Sequence, residues 1–118
     1  MTKAAIVLLA DTETLGDMGR MANALSAVQE FKEAGDEVRL IFDGAGVKWV
    51  GKLTNPEHEY HEHYQAVKDK IVGVCQYCAG AFQVTDQIQR AGVPFADEFN
   101  GHPSFRSLVN QGYQVITF

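Results

Sequence analysis

Cys75 and Cys78 are the only thiols in the chain, and they stand three residues apart in the segment Cys75-Gln76-Tyr77-Cys78. An apolar stretch, Ile71 to Val74, reads as a short strand and delivers the backbone directly to Cys75, while a helical pattern begins a few residues beyond Cys78. The reactive form of cysteine is the thiolate. A thiol placed where a strand hands over to a helix meets unpaired backbone N–H groups and the positive end of the helix, and both favour that form. Gly80 keeps the turn open to approach. The pair therefore reads as a nucleophilic cysteine with a second thiol near enough to resolve a disulfide or to tune the first. The competing reading is two small residues filling space beneath a sheet.

Other residues invite chemistry less strongly. His58, His61 and His63 lie in the run HEYHEH. On a helix His58 and His61 share a face while His63 points elsewhere, and the His-x-x-x-His pair of a helical zinc site is absent. Cys75 and Cys78 with two of these histidines would offer four zinc ligands, yet the spacing matches no common zinc module, so the expectation is a solvated helix face and no metal. Asp11, Glu13 and Asp17 follow the first apolar run and are expected to form a polar loop with Asp17 as a helix N-cap, not a magnesium site. The glycines at 16, 19, 44 and 46 lack the spacing and the lysine of a phosphate loop, so no nucleotide or other organic cofactor is expected. His102, before Pro103, could assist proton transfer but is read as a capping or surface residue.

These residues need a scaffold, and the hydrophobic pattern supplies one. Ala4 to Ala10 is a continuous apolar run, as in a strand covered on both faces, and Met18, Met21, Leu25, Val28 and Phe31 then recur at helical steps up to Gly35. Glu37 to Phe42 is a second strand, closed by Asp43-Gly44. Val47, Val50 and Leu53 predict a short helix ending before Pro56, with Trp49 off its face and surplus apolar surface for a subunit contact or for the core. Glu57 to Lys70 reads as a surface helix with Tyr60, Tyr64 and Val67 as its stripe. Beyond the cysteines, Ala81, Val84, Ile88 and Ala91 predict a helix stopped by Gly92, and Val93 to Ala96 a short edge strand containing Pro94. A last helix starts at Pro103, with Phe105, Leu108 and Val109 facing inward, and Tyr113 to Phe118 is the last strand.

Alternating strands and helices imply a three-layer α/β/α fold with a mainly parallel sheet of about five strands, in a flavodoxin-like arrangement. Ligands in such sheets collect at the carboxyl ends of the strands, which nominates the loops 11–17, 43–46 and 75–80. At 118 residues the chain is expected to form one domain over 1–118, small enough that subunit contacts would add useful burial. Its formal net charge of −5 leaves no basic field for nucleic acid or anionic lipid. The first apolar run is too short to span a membrane, and two cysteines do not make the disulfide framework of a small secreted domain, so a cytoplasmic location is expected.

The opening strand and helix, the turn Phe42-Asp43-Gly44-Ala45-Gly46-Val47, the segment Val74 to Phe82 (VCQYCAGAF) and the ending Gly112 to Phe118 together resemble the DsrE/DsrF-like sulfur-relay family over nearly the whole chain. The resemblance implies a small cytoplasmic sulfur-transfer protein, a possible sulfurtransferase, in which a cysteine after a middle strand carries sulfur as a persulfide. Members with one cysteine match Cys78, and members with two match both Cys75 and Cys78. It also implies trimeric or hexameric rings and partners that donate and accept sulfur. Two alternatives remain open: a dithiol/disulfide oxidoreductase using the same pair, and a non-catalytic binding or assembly module with structural cysteines.

Overall fold

Five consecutive side chains, Ala4 to Leu8, are completely shielded from solvent, so the first strand must be covered on both faces. The computed structural model describes residues 1–118 and shows how this is done. Strand β1 (Lys3–Leu8) lies between β2 (Glu37–Phe42) and β5 (Gln114–Thr117), and the sheet continues through β3 (Ile71–Cys75) to the short edge strand β4 (Phe95–Ala96). The order is β4-β3-β2-β1-β5, and every pairing is parallel. The expected three layers and five strands are present. Flavodoxin's order is 2-1-3-4-5; here the step to the far side of β1 is made by the last strand instead of the second.

The two faces are unequal. Ala4, Ile6 and Leu8 point into a cluster of 22 buried residues with α1 (Leu15–Glu33), α2 (Trp49–Leu53), α3 (His61–Val67), α4 (Gln76–Ala81) and α5 (Thr85–Ala91). Ala5 and Val7 point the other way, into a cluster of five closed by Leu108 of α6 (Phe105–Asn110) and Tyr113. Of the predicted inner face of α6 only Leu108 is buried; Phe105 is 39% and Val109 61% exposed, because a helix of six residues presents a single contact row to the sheet.

Three further expectations are corrected, and the open choice for the apolar surface of α2 falls to the core. Thr14, not Asp17, is the N-cap of α1; Asp17 sits three positions on and completes a capping box by accepting from the Thr14 backbone. Trp49 belongs to the core, 2% exposed, and its indole N–H donates to the Ala10 carbonyl at 3.0 Å. With Val50 and Leu53 also buried, the α2 segment has no apolar surplus left for a subunit contact. Only His61–Val67 of the predicted 57–70 helix is α-helical. The predicted 81–91 helix is broken: Gln83 takes a left-handed conformation (φ 60°), and bonds from its N–H to Gly80 and from Val84 N–H to Ala79 form a Schellman turn that ends α4 and starts α5.

Gly73 lets β4 approach the sheet. A Cβ there would lie 2.7 Å from Ala96 Cβ, so any larger residue must push the two strands apart. Gly73→Ala is expected to lower unfolding free energy by about 1–3 kcal/mol, as overpacking does. Gly80→Ala, on an open face of α4, should be neutral or raise it by up to about 1 kcal/mol. Urea titrations of both variants decide the matter: equal effects would show that the β3–β4 approach is not tight.

Candidate active site

Loops leave the carboxyl ends of β3 and β4 towards opposite faces of the sheet, β3 into α4 on the larger-core side and β4 towards α6 on the other. Such a divergence opens the crevice in which α/β sheets hold reactive groups. Cys75 is the last residue of β3 and Cys78 the third of α4. The chain after β4 returns to them through a tight turn. Asn100 (φ 51°) and Gly101 (φ 84°) both have positive φ, and Phe99 and His102 exchange backbone hydrogen bonds of 2.8 and 2.9 Å across them, as in a type I′ hairpin. Tyr77 N–H donates to the Gly101 carbonyl at 2.9 Å, and the Tyr77 ring lies 4.8 Å from the His102 ring, which pins the hairpin over the start of α4.

Four side chains meet there. Cys75 Sγ lies 3.3 Å from His102 Nδ1 and accepts from the Cys78 N–H at 3.4 Å, and Cys78 Sγ donates to Asp43 Oδ1 at 3.5 Å. Sulfur, nitrogen and oxygen atoms of all four residues fall within 4.8 Å of one another. Asp43 comes from the turn after β2, where its carboxylate also accepts from Gly44 N–H at 2.8 Å. It is 8% exposed and takes part in none of the chain's four ion pairs.

The two thiols differ in kind. Cys75 has no solvent exposure, whereas Cys78 is half-buried. Burial pushes the Cys75 thiol up to about 12 from an ordinary 9.0, with the neighbouring Cys78 thiol and Asp43 carboxylate adding to the rise and the Cys78 N–H opposing it. The expectation that the helix start makes a thiolate therefore fails for Cys75. Desolvation outweighs one N–H bond, and α4, with six residues, has only a small dipole.

Two of the three nominated loops, 43–46 and 75–80, supply site residues. The third does not: Asp11 is held in an ion pair with Lys48, which keeps its carboxyl below the usual range, and Asp17 is engaged in capping. The histidines of HEYHEH stay away from the cysteines. His58 stands edge-on to Trp49, His61 Nδ1 contacts the Leu53 carbonyl at 2.8 Å, and His63 lies against Tyr60. His102, read from sequence as a capping or surface residue, instead faces Cys75; the Asn100-Gly101 pair, a strong hairpin signal, was the feature that could have located it. The largest cavity, about 690 Å³, runs along α6 beside Phe99, Phe105 and Arg106 and includes none of the four residues.

The chain matches the family model described as the DsrE/DsrF-like family over residues 5–118. It is 34% identical over 100 residues to the uncharacterized protein MJ0733 of Methanocaldococcus jannaschii, covering 85% of this chain and 81% of that one. A conserved protein of unknown function from Bacteroides thetaiotaomicron, BT1422, has a similar structure, with a TM-score of 0.64 at 17% identity over 97% of this chain and 94% of its own. No helix is long and apolar enough to cross a membrane.

Between pH 9.0 and about 12 the folded chain keeps a Cys75 proton that the unfolded chain has lost. The contribution of Cys75 to stability is thus fully present below pH 9.0 and declines above it, by up to about 1.4 kcal/mol per pH unit. Denaturant titrations of reduced, metal-free protein on either side of that value should show wild type losing more stability than Cys75→Ala. Parallel losses would mean that burial does not hold the proton on Cys75.

Proposed function

The chain belongs to the DsrE/DsrF-like family, and from that premise we propose that it is a sulfur carrier, a single DsrE-like domain over 1–118 that holds sulfur as a persulfide on Cys78. The observation that carries this reading is the asymmetry of the thiols: Cys78 is open to a partner while Cys75 is sealed and protonated. A carrier must be reached by the thiol that loads it and by the thiol that unloads it, and only Cys78 satisfies this.

In the loading step the Cys78 sulfur attacks the outer sulfur of a donor persulfide. A sulfur–sulfur bond to Cys78 forms as the donor's own sulfur–sulfur bond breaks, and the donor leaves as a thiolate. Asp43 Oδ1, the acceptor of the Cys78 proton at 3.5 Å, takes that proton and returns it to the departing thiolate. Unloading is the reverse reaction with a different thiol, so neither step needs an external oxidant or an organic cofactor. Cys75 positions the site through its bond from the Cys78 N–H, and His102 supplies polar contact from the other side. Donor and acceptor are sulfur-carrying proteins or small persulfides, and the setting is cytoplasmic. Assembly into a trimer or hexamer is part of the same proposal, supported by the apolar surface left open at Val72, Phe105, Val109 and Ile116.

Intact mass of the reduced, metal-free protein after exposure to a sulfane-sulfur donor tests the reading. One added sulfur atom is expected on wild type and on Cys75→Ala, and none on Cys78→Ala. Asp43→Asn should slow loading by roughly 100-fold, the lower end of what a positioned base contributes. Loss of two hydrogens in wild type alone would replace the carrier by a dithiol oxidoreductase, and inert thiols in every variant would replace it by a binding module.

A further inference from the structure

We infer that Asp43, Cys75, Cys78 and His102 also form a binding site for a divalent cation of the zinc class, with one ligand atom from each residue. The donor set is two sulfurs, one imidazole nitrogen and one carboxylate oxygen, all within 4.8 Å of one another. A closed tetrahedral zinc site has ligand-to-metal lengths of about 2.0–2.3 Å, which places its ligands about 3.3–3.8 Å apart. The Cys75–His102 separation of 3.3 Å and the Cys78–Asp43 separation of 3.5 Å already fall in that range. The widest separation exceeds it by at most about 1 Å, so the ligand atoms must draw together by that amount as the ion binds.

Charge points the same way. Asp43 is a carboxylate 92% removed from solvent that has no Lys or Arg partner in any of the four ion pairs, and a cation at the centre of the cluster would supply one. Two sulfurs select a borderline or soft ion over magnesium or calcium. The ligands are also held independently of the ion. Asp43 is fixed by the Gly44 N–H, Cys75 by the end of β3, Cys78 by α4 and His102 by its hairpin, so little ordering is left to the binding event. As the metal binds, each thiol releases its proton to solvent and forms a sulfur–metal bond, with no change of oxidation state. Cys78 is then occupied at its sulfur, so cation and persulfide compete for one atom; this last consequence rests on the carrier reading, whereas the metal site does not.

The test is anaerobic titration of the reduced, metal-free full chain with cobalt(II), followed by zinc(II). One cobalt per chain is expected, with thiolate-to-cobalt charge-transfer bands and the intense visible bands of tetrahedral cobalt, both abolished as zinc displaces it. Asp43→Asn and His102→Ala should each weaken cobalt binding by roughly 100-fold or more, at least the loss seen when an outer-shell partner is removed. His102 lies on a half-exposed hairpin, so its variant tests the site without disturbing the core. The combined variant His58→Ala, His61→Ala and His63→Ala should bind as wild type does. Absent thiolate bands, unchanged affinity in both Asp43→Asn and His102→Ala, or loss of binding in the triple-histidine variant would each overturn the site. Sulfur uptake is then measured on the zinc-loaded chain, where it should be blocked and restored by a chelator. A metal-free chain that takes up no sulfur would remove the carrier reading and leave the cobalt result to decide the metal site alone.

Discussion

Complete burial of Ala4 to Leu8 is the constraint from which the remaining geometry follows. A strand with no exposed side chain needs apolar cover above and below and a hydrogen-bonded neighbour on each edge. Successive right-handed crossovers from β1 to β2, β3 and β4 place all their helices on one face. The other face, and the free edge of β1, are left for the last helix and strand. The backbone after β4 must therefore cross to the opposite side of the sheet, which is why the loops after β3 and β4 part company. The cluster of Asp43, Cys75, Cys78 and His102 occupies the gap that this parting opens.

Within that gap, desolvation divides the labour between two identical side chains three residues apart. Cys75, as the end of a central strand, inherits the dry environment of the sheet and keeps its proton. Cys78, one helical turn further, reaches the surface and faces a carboxylate. Here the first cysteine closes the strand and also accepts from the third residue of the helix, so it acts as the helix N-cap. The pair thus ties the end of β3 to the start of α4.

Asp43 and His102 complete the cluster from opposite sides, one beside each sulfur. Their contacts are consistent with either proton traffic or metal ligation, since a site that binds protons and a site that binds a zinc-class ion use the same lone pairs. Of the two sulfurs between them, that of Cys78 is half-exposed and that of Cys75 is fully buried.

Period and composition alone revealed the strands, the long first helix, the end of a strand before Cys75 and the α/β class, because each depends on whether successive side chains alternate or recur at helical steps, whereas the helix read from residue 81 in fact begins at Gln76. Asp43 was visible as part of a strand-end turn. Local pattern was blind to three things. Gln83 ends a helix in a conformation usually left to glycine, so the break at α4 carries no compositional mark. Trp49 lies off the apolar stripe of its own short helix, yet it packs into the larger core, where the carbonyl of Ala10, a distant segment, satisfies its indole N–H. His102 is 27 residues from Cys75 along the chain, and its approach depends on a hairpin, on Gly73 letting β4 close in, and on the order of strands. Residue types and periods are encoded locally and can be read from one chain. Which thiol is dry, and which imidazole faces it, are properties of distances between remote segments, and those are set only when the whole sheet has assembled.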